Sequence, residues 1–106
     1  MRVYLDDLRQ TPPGFNVRVY TYAEAVAVLS TGRVEFISFD HDLAAGPELE
    51  SKCIGSGYDV ACWIEAAAFR NEIPRLGYAI HSANPVGARR IQAAMYVAER
   101  YWVNRE

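Results

Sequence analysis

Three places in this sequence carry side chains that do chemistry. Asp6-Asp7 follows RVYL (2–5), with Arg9 two residues on; Asp40-His41-Asp42 closes the apolar run VEFISF (34–39); His81, Ser82 and Asn84 follow LGYAI (76–80). Both histidines of the chain and four of its five aspartates fall there, Asp59 being the fifth. Clustered carboxylates suit Mg²⁺ or Mn²⁺, and imidazole beside them widens the choice to Fe, Ni²⁺ or Zn²⁺. A cation so held neutralises phosphate oxygens and activates a water.

Taken singly, most of these groups have an ordinary explanation. An Asp-Asp pair after a strand turns or caps the chain, a histidine at a strand end hydrogen-bonds locally, and Asn84 before Pro85 is an N-cap with proline at the first helical position. The run Asp40-His41-Asp42 resists this reading. An extended backbone puts Asp40 and Asp42 on one side and His41 on the other, and neighbouring charges leaving a buried strand need a counter-charge.

The elements that must position these groups follow from periodicity. RVYL (2–5), VRVYTY (17–22), VEFISF (34–39) and LGYAIHS (76–82) read as strands. Thr21 and Glu24 form a capping-box pattern for a short helix ending near Gly32. Val60, Trp63, Ile64, Ala67 and Ala68 mark a helix over 57–70, ended by Pro74. Ile91, Ala94, Met95, Ala98 and Trp102 give a last helix its buried stripe. Strands alternating with helices imply a parallel sheet with right-handed crossovers. The first connection is the exception. Its eleven or so residues, with Pro12, Pro13 and Gly14, lack helical period, so it crosses as a bare loop or the first two strands pair differently. In such sheets ligands bind beyond the carboxyl ends of the strands, where all three polar groups fall.

Bulk properties narrow the class. At 106 residues the chain fits a single domain, 1–106, able to bury a core without staples. A net charge of −2 gives no drive toward duplex nucleic acid or membranes. Arginine supplies ten of the eleven basic residues; it is the better bidentate partner for phosphate, but a high-GC genome gives the same bias and is the favoured explanation. Cys53 and Cys62 lack metal-ligand spacing, and Cys62 sits in an apolar helical pattern as a buried small hydrophobe. With no signal pattern and no apolar run of spanning length, a cytoplasmic protein is expected. GSG at 55–57 reads as a flexible loop or as a phosphate cradle at a helix start.

YLDDLRQTP, ISFDHDL, GYDVACWI and IHSANPVG, in that order, resemble the cyclic-phosphate-processing receiver-like domains, from Val3 to about Met95. The resemblance implies an α/β, receiver-like (Rossmannoid) three-layer fold, with a mostly parallel sheet of about four strands and three main helices. It implies binding or hydrolysis of cyclic phosphates on nucleotides or RNA ends. By motif, Asp6, Asp7 and Arg9 belong to the first strand end; Asp40, His41 and Asp42 to the third; Gly57 and Asp59 to the helix start; and His81, Ser82 and Asn84 to the last motif. Against true receivers, Asp40 falls at the phosphoacceptor and Asp6-Asp7 at the acidic pair. The helix after strand one and the fifth strand with its lysine are missing, and His41 and His81 are additions. These departures argue against signal-driven phosphorylation.

The leading expectation is therefore a metal-dependent hydrolase, a cyclic phosphodiesterase. Asp6, Asp7, Asp40 and Asp42 are its expected metal ligands, for Mg, Mn, Ni or Zn. Catalytic roles fall to Asp40, His41 and His81, with either histidine as general acid. Arg9, Gly57, Ser82 and Asn84 bind the phosphate. A small nucleotide or RNA-end cyclic phosphate is the expected partner. A binding or sensing module without turnover is the second reading. The third is a receiver-like interaction domain in which Tyr101-Trp102 forms a homodimer surface, although Trp102 also completes the core stripe.

Overall fold

The computed structural model describes residues 1–6, 9–40 and 56–105. Three of the expected site residues, Asp7, His41 and Asp42, lie outside them, as does Cys53. The described elements are β1 (Arg2–Leu5), β2 (Val17–Val19), α1 (Tyr22–Leu29), β3 (Phe36–Phe39), α2 (Gly57–Phe69), β4 (Gly77–Ile80) and α3 (Pro85–Arg105). The four described strands form one all-parallel sheet in the order β2-β1-β3-β4. This is the receiver-like α/β arrangement read from the motifs.

Crossover handedness decides what covers each face. The β2-to-β3 and β3-to-β4 connections step across the sheet in one direction, and β1 to β2 steps the other way. Right-handed crossovers therefore put α1 and α2 on one face and the first connection on the opposite one. Side-chain alternation agrees. Val3 and Leu5 of β1, Val19 of β2, and Ile37 and Phe39 of β3 join a single buried core with Ala25 and Leu29, Val60 and Ile64, and Ile91 and Met95 of the three helices.

The opposite face carries Arg2, Tyr4, Phe36 and Ser38, and its cover is loop. Phe15 sets its ring against Tyr4 at 5.2 Å and Phe36 at 6.2 Å. Arg2 Nε donates to the Gly14 carbonyl at 2.9 Å while its guanidinium lies 4.3 Å over Phe36. Arg18 Nε donates to the Asp6 carbonyl at 2.9 Å, and its Nη1 to Thr11 Oγ1 at 3.0 Å. Gly14, at φ 96°, supplies the left-handed turn. Over its described residues the first connection is thus a parallel crossover without a helix, held by two arginines that bind loop oxygens.

Local chemistry sets the element ends. Thr21 caps α1, accepting from Glu24 N at 3.1 Å, so the strand expected to reach 22 stops at Val19. Glu24 reaches back to Tyr20 N at 2.7 Å, one residue before the cap. α2 stops before Pro74: Arg70 is its C-cap, and Asn71 takes the left-handed conformation at φ 58°, which asparagine tolerates. β4 shows exposed Gly77 and Ala79 on its outer side, as an edge strand can. Cys62 corrects the sequence reading. It is half-buried, because its position on α2 lies beside the stripe of Val60, Ala61, Ile64 and Ala68. Trp63 is likewise only partly buried, packed against the edge of the core. Among the described residues no helix is long and apolar enough to cross a membrane.

Candidate functional site

The residues that follow three adjacent strands converge. Asp6, Asp40 and His81 each extend the ladder by one residue: Asp6 N donates to Val19 O at 3.2 Å, Asp40 N to Leu5 O at 2.9 Å, and His81 N to Phe39 O at 2.8 Å. With a period of two, they continue the row Tyr4, Ser38 and Ala79, on the face away from the helices. Asp6 has no solvent-exposed surface and Asp40 is 8% exposed. Burying two carboxylates side by side requires compensating donors.

Arg9 supplies the charge. Its backbone N–H donates to Asp6 Oδ1 at 2.9 Å, and its Nη1 donates to Asp6 Oδ2 at 3.0 Å. The same Nη1 lies 3.8 Å from Asp40 Oδ2, so one guanidinium bridges both acids. The hydrogen bond to Asp6 raises the Arg9 pKa further above its ordinary value. Its side chain remains 45% exposed, with donors left for a ligand.

His81 supplies the other partner. Its Nε2 stands 2.9 Å from Asp6 Oδ2 and its Nδ1 2.7 Å from Ser38 Oγ. The ring lies flat on Tyr4, 4.5 Å between centroids and 6° between planes. Burial, and next the Asp6 charge, hold the Tyr4 phenol above its usual range, so it stays neutral beneath the imidazole. The Asp6 carboxylate is thereby contacted by Arg9 and His81, and His81 is held at both ring nitrogens and across its face.

The other expected site residues have local structural partners. Ser82 Oγ accepts from Asn84 N at 3.0 Å, forming the turn into α3. Asn84 Oδ1 accepts from Gly87 N at 3.0 Å, making it the N-cap read from Asn84-Pro85. Gly57 is the buried first residue of α2, just after Ser56. Ser56 Oγ accepts from Asp59 N at 3.3 Å, and Asp59 Oδ2 accepts from Ser56 N at 2.9 Å, a reciprocal capping box. Arg89 and Arg90 are exposed, with the Arg90 guanidinium 5.2 Å from the Tyr58 ring centroid.

Two contributors escaped the sequence reading. Ser38 left a usable signal, as the one hydroxyl inside VEFISF. Tyr4 left none, because its place under His81 depends on β1 and β4 flanking β3. As to a cation, the described residues contain no group of three or more His, Cys, Asp or Glu arranged to hold one. Asp6 and Asp40 offer hard oxygen donors of the type Mg²⁺ and Mn²⁺ take, and the Arg9 charge already bridges them.

Compared with known proteins, residues 1–97 match the family described as the cyclic-phosphate processing receiver domain. Neither the curated proteins nor the solved structures gave a match.

Proposed function

The chain belongs to the cyclic-phosphate processing receiver domain family, and from that premise we propose that it is a metal-dependent phosphoesterase acting on cyclic phosphates, with 2′,3′-cyclic nucleotides or RNA ends as substrates. The observation that carries this reading is the Asp6–Arg9–Asp40 bridge beside His81, at the carboxyl edge of a parallel sheet. A cation bound at the two buried acids would take the place of the half-exposed arginine, leaving its guanidinium to pair with a phosphate.

Asp6 and Asp40 would hold the cation, joined by Asp7 and Asp42; Mg, Mn, Ni and Zn are the candidates. When bound, such a cation supplies Lewis acidity and a water of lowered pKa. Arg9 offers its remaining N–H groups to the phosphate oxygens, a task that suits guanidinium geometry. The helix starts at Gly57 and Pro85 add dipoles of the sign that favours an anion. His41 would serve as the general acid for the leaving oxygen.

Competition between Arg9 and the cation gives a direct prediction. Removing the guanidinium takes away the positive charge that bridges Asp6 and Asp40, and a divalent cation is a natural replacement. Arg9→Ala is expected to be less stable than wild type after chelation, to regain more of its melting temperature on adding Mn²⁺, and to bind Mn²⁺ more tightly. Thermal unfolding with and without Mn²⁺ reads this. An Arg9→Ala melting curve indifferent to every divalent cation would remove the metal from the proposal.

A second reading has its own support. Each hydrogen-bonding atom named at Asp6 and His81 already has a protein partner, which suits a module that binds a cyclic nucleotide without consuming it. Turnover separates the two. Chelator-stripped protein is given Mg²⁺, Mn²⁺, Ni²⁺ or Zn²⁺ in turn, with 2′,3′- and 3′,5′-cyclic nucleotides, and products are separated by chromatography. The esterase reading expects metal-dependent product that Asp40→Ala abolishes. Intact ligand recovered from protein that still binds it would establish the binding module instead.

A further inference from the structure

We infer that Ser38 is a positioning residue acting through His81 on the Asp6 carboxylate, and that His81 orients Asp6 rather than donating a proton to substrate. Three adjacent strands build the line: Ser38 within β3, His81 just past β4, and Asp6 just past β1. Ser38 is 5% exposed, and its Oγ to Nδ1 separation of 2.7 Å is a full hydrogen bond.

Proton placement follows from the partners. Asp6 is ion-paired with Arg9 and accepts hydrogen bonds at both of its oxygens. A carboxylate has no proton to give, so the Nε2 that faces Oδ2 at 2.9 Å must carry one. In the neutral ring Nδ1 is then bare, and the Ser38 hydroxyl donates to it. The opposite tautomer would set a bare Nε2 against a carboxylate oxygen, acceptor against acceptor. The Tyr4 stack fixes the ring plane, so the imidazole can neither flip nor tilt without losing three contacts. Protonation of a leaving oxygen by His81 would require breaking its bond to Asp6 or to Ser38. Within the proposed reaction, on which this consequence rests, proton donation falls to His41.

Two experiments test the inference, and only the second needs turnover. In ¹⁵N NMR of histidine-labelled protein at alkaline pH, wild-type His81 is expected as the Nε2–H tautomer. Ser38→Ala should move the Nδ1 resonance toward that of an unbonded imidazole nitrogen, and Ser38→Thr, which keeps the hydroxyl, should move it back. An Nδ1–H wild-type ring, or an Nδ1 resonance indifferent to Ser38→Ala, overturns the positioning role. In the second experiment His81→Gln keeps an N–H donor for Asp6 but has no transferable proton. His81→Gln is expected to retain turnover within about tenfold of wild type, while His81→Ala loses about 10- to 100-fold, the range for a residue that orients a metal ligand. Equal loss in both, in protein whose melting curve shows it folded, would make His81 the proton donor. If wild-type protein turns over no cyclic phosphate, the proposed function fails and the NMR result stands by itself.

Discussion

Asp6→Asn is expected to lower metal-dependent turnover of a 2′,3′-cyclic nucleotide by more than about a hundredfold. Residues that merely orient a metal ligand are worth about 10- to 100-fold in affinity or activity, and Asp6 is the group on which the orienting contacts converge. Arg9 N, Arg9 Nη1 and His81 Nε2 all point at its two oxygens. An amide of the same shape has one acceptor oxygen, and its NH₂ would face a donor. The substitution thus removes a negative charge and sets donor against donor in a place with no solvent contact. The values of kcat and KM, measured across a Mn²⁺ titration on protein shown to be folded, read the effect. Turnover within tenfold of wild type, with unchanged metal dependence, would take Asp6 out of the site.

Asp6 also marks how far the sequence alone could go. That it stands at a strand end is local information, carried by RVYL and the acids that follow. The Asn84-Pro85 cap, the Thr21 cap and the α3 stripe were equally legible, since each depends on neighbours within one or two helical turns. Ser56 and Asp59 have the spacing of a capping box, a local signal that the flanking Gly55 and Gly57, typical of a flexible loop, obscure. Strand ends moved by up to three residues, because a strand stops where its ladder partner stops, and partners lie far away in sequence. The same non-locality hid the partnership of Ser38 and Tyr4 with His81. Both act on a ring 43 residues or more away, and only the order β1-β3-β4 brings them together. The bare first connection was visible as a missing helical period, but its clamp by Arg2 and Arg18 was not. Those side chains bind backbone and hydroxyl oxygens, which carry no sequence signature.

Trp102→Ala should cost about 3–5 kcal/mol, the range for emptying a buried aromatic site. A domain of this kind has only about 5–15 kcal/mol in all, so the variant should sit near its unfolding threshold. Trp102 is 5% exposed, and its Nε1 donates to the Ile73 carbonyl at 3.2 Å. One turn along, Arg105 donates to the carbonyls of Ala68 and Phe69. These carbonyls belong to the last turn of α2, where helical partners run out. The end of α3 therefore closes the end of α2, and the pair backs the strands that carry Asp40 and His81. Trp102→Phe keeps most of the packing but leaves the Ile73 carbonyl without this donor, which should cost about 1–3 kcal/mol. Urea midpoints of the two variants, with sedimentation of the native proteins alongside, distinguish a core residue from an interface residue. A Trp102→Ala midpoint close to wild type, together with a fall in molecular mass, would place Trp102 between two copies of the chain, in a homodimer. A large loss of stability with no change in mass would assign the tryptophan to the α2–α3 core.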